Sequence, residues 1–169
     1  MSKTVIIGGV AGGATAAARL RRRDEGMEIV VLEKGGYISF ANCGLPYYIG
    51  DVIRSREALL LQTPEGMKSK SNIDVREENK VTVKNLLTGE NYEESYDHLI
   101  IATGSSPLKP GIPGINGEHI FTLWNIADTD RIKAFVQEKH PRSAAVIGGG
   151  FIGVEMAENL HAAGLAVSI

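Results

Sequence analysis

Short apolar runs alternate along this chain with glycine clusters and with stretches rich in alanine and arginine. Thr4 to Ile7 is apolar or β-branched at every position and is bounded by glycine. Such a run suits a parallel strand covered on both faces. Gly8 to Gly13 follow. Ala14 to Arg23 is rich in alanine, leucine and arginine, strong helix formers, and predicts a helix that Gly26 stops. Glu28 to Leu32 predicts a second strand, closed by Glu33. Strand, turn, helix and strand within about thirty residues is the size of a βαβ unit.

The pattern then loosens. Gly35 to Gly50 is broken by Gly, Pro and Asn, and Arg56 to Lys70 reads as mixed helix and loop. Asp74 to Tyr96 predicts a hairpin: Lys80 to Leu86, a Thr88-Gly89 turn, then Glu90 to Tyr96. Leu99 to Ala102 predicts another buried strand, and Pro107, Pro110 and Pro113 a stiff connector. Thr129 to Glu138 has helical spacing. Ala144 to Ile147, a glycine turn and Ile152 to Ala163 then restart the strand-turn-helix pattern. Val5-Ile6-Ile7-Gly8-Gly9 is echoed by Ala145-Val146-Ile147-Gly148-Gly149, an internal repeat. The expected fold class is α/β. Residues 1–110 form a Rossmann-like, three-layer domain with a parallel sheet and a β-meander. Residues 111–169 hold a connector and the start of a second Rossmann-like unit.

Composition narrows the function classes. Hydrophobic residues at 43% and charged residues at 22% argue for a folded globular chain rather than a disordered one. The net charge of -2 gives no global field toward nucleic acid or a membrane surface. No apolar run approaches the roughly 18 residues of a membrane span, and the N-terminus lacks the apolar core of a signal peptide. Cys43 is the single cysteine, so no internal disulfide exists and a cytoplasmic home is expected. His98, His119, His140 and His161 fit no metal spacing, so no metal is expected.

Both glycine turns have the form of a dinucleotide fingerprint. Such a fingerprint needs glycines for the tight turn, for approach of a pyrophosphate and for helix-strand packing. The helix start then offers N–H groups and positive potential to phosphate. In the first turn Gly8 and Gly13 take the first and third glycine positions. Val10 stands where the middle glycine usually is, and Gly9 and Gly12 keep the turn small. Glu33 lies twenty residues beyond Gly13, placed to accept both hydroxyls of a ribose. Gly148, Gly150 and Gly153 satisfy the complete pattern. Taken alone, a glycine-rich stretch is equally an ordinary tight turn. The flanking strand, helix and acid favour nucleotide binding.

The most informative stretch is Ser39-Phe40-Ala41-Asn42-Cys43-Gly44-Leu45-Pro46-Tyr47-Tyr48. It resembles the active-site segment of the pyridine-nucleotide-disulfide oxidoreductases, most closely the coenzyme A disulfide reductases, including those fused to a rhodanese domain. The resemblance extends through Gly8 to Gly13, Gln62 to Glu65, Tyr96-Asp97, Ala102 to Gly104 and Gly148 to Glu155, and in that group Val10 is usual. It implies FAD as cofactor, NAD(P)H as reductant in the parent enzyme, and a parent homodimer. Cofactor contacts carried over are Gly8, Gly9, Val10, Ala11, Gly12, Gly13, Glu33, Lys34, Thr103 and Gly104, then Gly148, Gly150 and Gly153.

Dithiol members of the superfamily carry a second cysteine five residues after the first. That position here is Tyr48, so Cys43 must cycle with an external thiol. The resemblance implies a cycle through a Cys43-S-S-CoA mixed disulfide, which needs a reactive thiolate. Without this context, a buried inert cysteine would be the commoner fate.

Coenzyme A carries a 3'-phosphate and a pyrophosphate, so its site needs cations. Thr15, Arg19, Arg22, Ser39 and Asn42 match CoA contacts of the family, with Arg19 in place of a family glutamine. The arginines also fit an ordinary solvated helix face. Two departures from the family pattern stand out. The chain stops inside the second nucleotide unit, so it is expected to be an incomplete front portion lacking the nicotinamide-selecting residue and the later domains. After Asp74-Val75-Arg76 a further run of family residues is absent. Two alternatives stay open: an NADH oxidase or peroxidase using a cysteine sulfenic acid, and a non-catalytic FAD-binding module.

Overall fold

The computed structural model describes residues 2–76, 84–85 and 87–169. In chain order the elements are β1 (Lys3–Ile7), α1 (Gly12–Arg23), β2 (Glu28–Leu32), β3 (Ser39–Phe40), a one-turn 3-10 segment (Asn42–Gly44), α2 (Leu45–Ile49), a second 3-10 segment (Arg56–Leu59), β4 (Leu60–Gln62), α3 (Pro64–Ser71), β5 (Asp74–Arg76), β6 (His98–Ile101), α4 (Ile126–Lys139), β7 (Ser143–Ala145), α5 (Phe151–Ala162) and β8 (Ala166–Ser168). They group into two compact units. One holds Met1–Phe40 and Leu60–Ser105, the other Ala41–Leu59 and Ser106–Ile169. Cys43 falls in the second of these units.

The first unit is built on a parallel sheet of order β5-β2-β1-β6. Val5 stands opposite Val30 on one side and Leu99 on the other. The two central strands explain the unbroken apolar runs. Val5, Ile6, Ile29, Val30 and Val31 are all at most 2% exposed, because both faces of β1 and β2 are covered. Ile6, Ile29 and Val31 meet Ala17 of α1, Ile38, Met67 of α3 and Ile73 in one core. The α/β class with a parallel sheet is as expected. β6 differs from the expectation of a buried strand. Ile100 packs against the core, while Leu99 and Ile101 are 37% and 70% exposed. Side chains alternate between the two faces of a strand, and Leu99 and Ile101 share the face that is less covered at this edge of the sheet.

Local chemistry sets the helix ends. Thr63 caps α3 by accepting from Gly66 N at 3.1 Å, Pro64 fills the first turn, and Asn72 closes it in the left-handed region at φ 47°. Arg21 donates from its guanidinium to the carbonyls of Ser71 and Asn72, and also to those of Asp24 and Glu25. It thereby satisfies orphan carbonyls at the end of α3 and just beyond the ends of α1 and α3. Of the expected hairpin, residues 80–83 and 86 lie outside the described residues. Its turn is present as an antiparallel bridge between Lys84 and Asn91, with Gly89 at φ 76°.

The second unit packs Ile49 of α2, Ile132 of α4, and Met156 and Leu160 of α5 with Leu165 into its own core. β7 and β8 form a parallel pair, Ala144 opposite Val167. The expected strand Ala144 to Ile147 is cut short, and Ile147 is 94% exposed. Among the described residues β7 pairs with the three-residue β8 alone, and a strand runs no further than its ladder. No helix among the described residues is long and apolar enough to cross a membrane.

Candidate functional site

The first glycine turn is a cradle whose shape depends on missing side chains. Gly8 lies in the left-handed region at φ 91°, and a Cβ there would sit 2.2 Å from the Ala102 carbonyl oxygen at the end of β6. A Cβ on Gly13 would sit 1.7 Å from the Gly8 carbonyl oxygen. The first glycine lets β6 approach the turn; the third lets α1 pack on it. Exposed Ala11 and Gly12 stand at the open start of α1, where helix-end N–H groups and the dipole favour phosphate. Val10 adopts φ 48°, a conformation costly for a β-branched residue, and its N–H is held by the Ile38 carbonyl at 2.7 Å.

Glu33 ends β2 and is 8% exposed. One of its oxygens accepts from Gly9 N at 2.6 Å and the other from Gly35 N at 2.7 Å. The carboxylate thus ties the second strand to the glycine turn. Lys34 is exposed beside it. Thr103 and Gly104 are exposed just past β6, with Gly104 at φ 66°. Gly8 to Gly13, Glu33 to Lys34 and Thr103 to Gly104 all follow the carboxyl ends of parallel strands, where open α/β sheets bind ligands.

The second unit repeats the cradle. Gly148 sits at φ 116°, and a Cβ on Gly153 would come 1.9 Å from the Gly148 carbonyl oxygen. Gly149 and Gly150 border open space, and Gly150 starts α5.

Cys43 is the middle residue of the 3-10 turn Asn42–Gly44, which runs directly into α2. Asn42 and Cys43 are exposed, while Gly44, Leu45, Pro46 and Ile49 are buried. A Cβ on Gly44 would press on Leu59 at 2.9 Å and Ile53 at 3.2 Å, so this glycine lets the turn lie flat on the unit. Ala41 N bonds the Leu59 carbonyl at 2.8 Å. The thiol is therefore an accessible group on a backbone anchored from both sides. Tyr48, at the place of a second cysteine, instead directs its carbonyl to Lys133 at 2.5 Å.

Thr15, Arg19 and Arg22 lie four and three residues apart on α1, and all three are exposed, forming one open stripe. Ser39 is buried in β3, opposite Gln62. These four belong to the first unit, and Asn42 and Cys43 to the second. Among the described residues no His, Cys, Asp and Glu group is arranged to hold a metal ion. Sequence reasoning missed the roles of Arg21, Asp51, Arg56, Asp130 and Lys133. Arg21 reaches Ser71 and Asn72, Arg56 reaches Asp130, and Lys133 reaches Asp51, all 50 or more residues apart, so no local pattern marks these contacts.

The pyridine nucleotide-disulphide oxidoreductase family matches residues 2–169. The coenzyme A disulfide reductase of Staphylococcus haemolyticus is 41% identical over all of this chain and 40% of its own length. The chain thus spans about two fifths of the curated relatives it matches. Among solved structures, reduced CoADR-RHD of Bacillus anthracis is 54% identical with a TM-score of 0.95, over 99% of this chain and 32% of that one. A NAD-dependent persulfide reductase from A. fulgidus is 37% identical with a TM-score of 0.90, over 98% and 33%. A water-forming NADH oxidase from Lactobacillus brevis, bound to NADH, is 27% identical with a TM-score of 0.87, over 99% and 39%. With its two glycine cradles at strand ends and a match that runs the length of the sequence, this chain belongs to the pyridine nucleotide-disulphide oxidoreductase family.

Proposed function

We propose that this chain supplies the FAD-binding part and the thiol of an NAD(P)H-dependent reductase of coenzyme A disulfide, with Cys43 as its redox-active group. One observation carries the reading: the lone cysteine is exposed on an anchored turn, with a tyrosine where a resolving cysteine would stand. Within these 169 residues such a thiol has no second cysteine to pair with, which favours exchange with a small external disulfide.

The cradles fit the cofactors. Gly8 to Gly13 would receive a pyrophosphate against α1, and Glu33, with Lys34 beside it, would meet a ribose. Thr103 and Gly104, exposed just past β6, would add further contacts to the flavin nucleotide. Gly148, Gly150 and Gly153 would hold the pyrophosphate of NAD(P)H. When bound, FAD would take a hydride from NAD(P)H and deliver two electrons to a disulfide.

The chain's own chemistry then follows. The Cys43 thiolate attacks one sulfur of CoA disulfide, forming Cys43-S-S-CoA and expelling one CoA thiolate. Two electrons cleave the mixed disulfide, regenerating the Cys43 thiolate and releasing the second CoA, which takes up a proton. Ser39 and Asn42 shortly precede the thiol in sequence and would orient the pantetheine arm. Thr15, Arg19 and Arg22 would meet the phosphates, since a planar guanidinium binds phosphate by two parallel hydrogen bonds. The proposed setting is a soluble cytoplasmic homodimer of the longer parent protein.

The test is NAD(P)H oxidation by the full-length, flavin-loaded protein with CoA disulfide as acceptor. Two CoA thiols should appear per NAD(P)H, and Cys43→Ser should abolish their formation. Oxidation that consumes oxygen, yields no thiol and still needs Cys43 would instead favour the sulfenic acid oxidase. A protein that binds flavin yet oxidises no NAD(P)H is a binding module.

A further inference from the structure

The helical stretch that carries Cys43 has little stability of its own. α2 is five residues, Leu-Pro-Tyr-Tyr-Ile, far below the roughly 12 residues at which an isolated helix becomes even marginal. Its far end opens into Asp51, a non-glycine in the left-handed region at φ 60°. Its neighbour Gly50 packs so closely that a Cβ would come 2.6 Å from Asn159 Oδ1 of α5.

Two charged contacts from α4 close on the segment. Lys133 is 8% exposed. Its ammonium donates to the Tyr48 carbonyl at 2.5 Å and to Asp51 Oδ1 at 2.6 Å, and it lies 4.2 Å from the centre of the Tyr48 ring. One turn earlier, Asp130 accepts from Arg56 Nε at 2.9 Å and Arg56 Nη2 at 2.7 Å. The first contact holds the segment where α2 ends, the second where the chain turns back. An ion pair with one exposed partner, as here where the Asp51 side chain is 65% exposed, contributes little net stability. What it does supply is direction: a cation on the last carbonyls of a helix fixes both the end and the rotation of that helix. The 3-10 turn is continuous with α2, so rotation of α2 carries Cys43 with it.

We propose that Lys133 is a positioning residue for Cys43, acting through the Tyr48 carbonyl and Asp51 to hold the thiol in register for disulfide exchange. The inference rests on Cys43 being the redox thiol. Misplacement of a reacting group by about 1 Å costs on the order of a hundredfold in rate, so a loosened α2 slows exchange without touching flavin or nicotinamide.

The experiment compares Lys133→Met, Lys133→Arg, Asp51→Asn and Cys43→Ser in the full-length holoenzyme. Lys133→Met should lower kcat for CoA disulfide at least about tenfold. KM, flavin content and the rate of flavin reduction by NAD(P)H should stay within about twofold. Lys133→Arg keeps a cation and should recover most of the loss. Asp51→Asn keeps a residue that tolerates the left-handed conformation and removes only the charge, and should give a partial loss. Parent-level kcat in Lys133→Met overturns the proposal, as does an equal loss of flavin reduction, which marks a merely structural role. If Lys133→Met does not fold, parent-level kcat in Asp51→Asn overturns it alone. Turnover surviving in Cys43→Ser strikes the redox reading instead, whatever Lys133 does.

Discussion

Alanine at either third glycine of the two cradles should separate the cofactors. At Gly13 the added methyl would lie 1.7 Å from the Gly8 carbonyl oxygen and 2.7 Å from its carbon. Real Cβ atoms essentially never come within 3.0 Å of such an atom, and here the obstacle is backbone that cannot rotate aside. The first turn of α1 must withdraw from β1 by more than an ångström. Overpacking of this kind costs about 1–3 kcal/mol in stability. Withdrawal would also weaken the N–H contacts proposed to hold a phosphate, and each charge-assisted bond lost is about 1.5–3 kcal/mol. One such bond corresponds to about a ten- to hundredfold weaker flavin. Gly153→Ala meets the same obstacle in the second unit, 1.9 Å from the Gly148 oxygen. Flavin content by absorbance and NAD(P)H affinity by titration therefore form a crossed pair. Gly13→Ala should lose flavin and keep NAD(P)H binding, and Gly153→Ala the reverse. Stoichiometric, tightly held flavin in a stable Gly13→Ala protein would refute the reasoning.

Glu33→Gln leaves one acceptor oxygen for the two N–H groups of Gly9 and Gly35. Denaturant unfolding should show a loss of about 1–3 kcal/mol, and an unchanged midpoint would show that the carboxylate is not needed there. Val10→Gly should relieve a left-handed residue costing about 1–2 kcal/mol, less about 0.5–1 kcal/mol of glycine backbone entropy. A melting point raised by about 2 °C is expected; a drop would mean the valine side chain contributes packing that outweighs its strain. Lys3 holds its proton above the ordinary 10.5, first through its bond to Glu94 and then through Glu28. Its pKa is higher folded than unfolded, so its contribution is full below that ordinary value and fades as pH climbs through the folded one. The melting-point gap between the parent and Lys3→Met should hold steady to about pH 10 and close above it. A gap that instead widens with pH would reverse the assigned sign.

How much of this was legible in the sequence follows from where each structure gets its stability. β1, α1 and β2 are visible because two buried strands and a helix leave strong periodic signals, and β2 is found at its expected Glu28–Leu32. α2 is invisible, since five residues with a proline carry almost no propensity and the helix exists by burying Leu45, Pro46 and Ile49. α3 did carry a signal, Thr63-Pro64-Glu65, a cap followed by a first-turn proline and acid. It is diluted within a stretch read as mixed helix and loop. The cradles are legible as glycine spacing, though the tie from Glu33 to Gly9 is not: an acid at that distance suggests a ribose ligand, and the structure adds a second use for it. Lys133 reads as one polar residue of a helical pattern. Its partner Asp51 lies 82 residues away, beyond any local rule.

Intact mass of the purified protein, with and without reductant, tests the central claim most directly. The account predicts a reductant-labile gain of about 765 daltons, one CoA in disulfide linkage, absent from Cys43→Ser. A gain of about 16 daltons on Cys43 instead, one oxygen on the thiolate, with no CoA adduct after incubation with CoA disulfide, would contradict it.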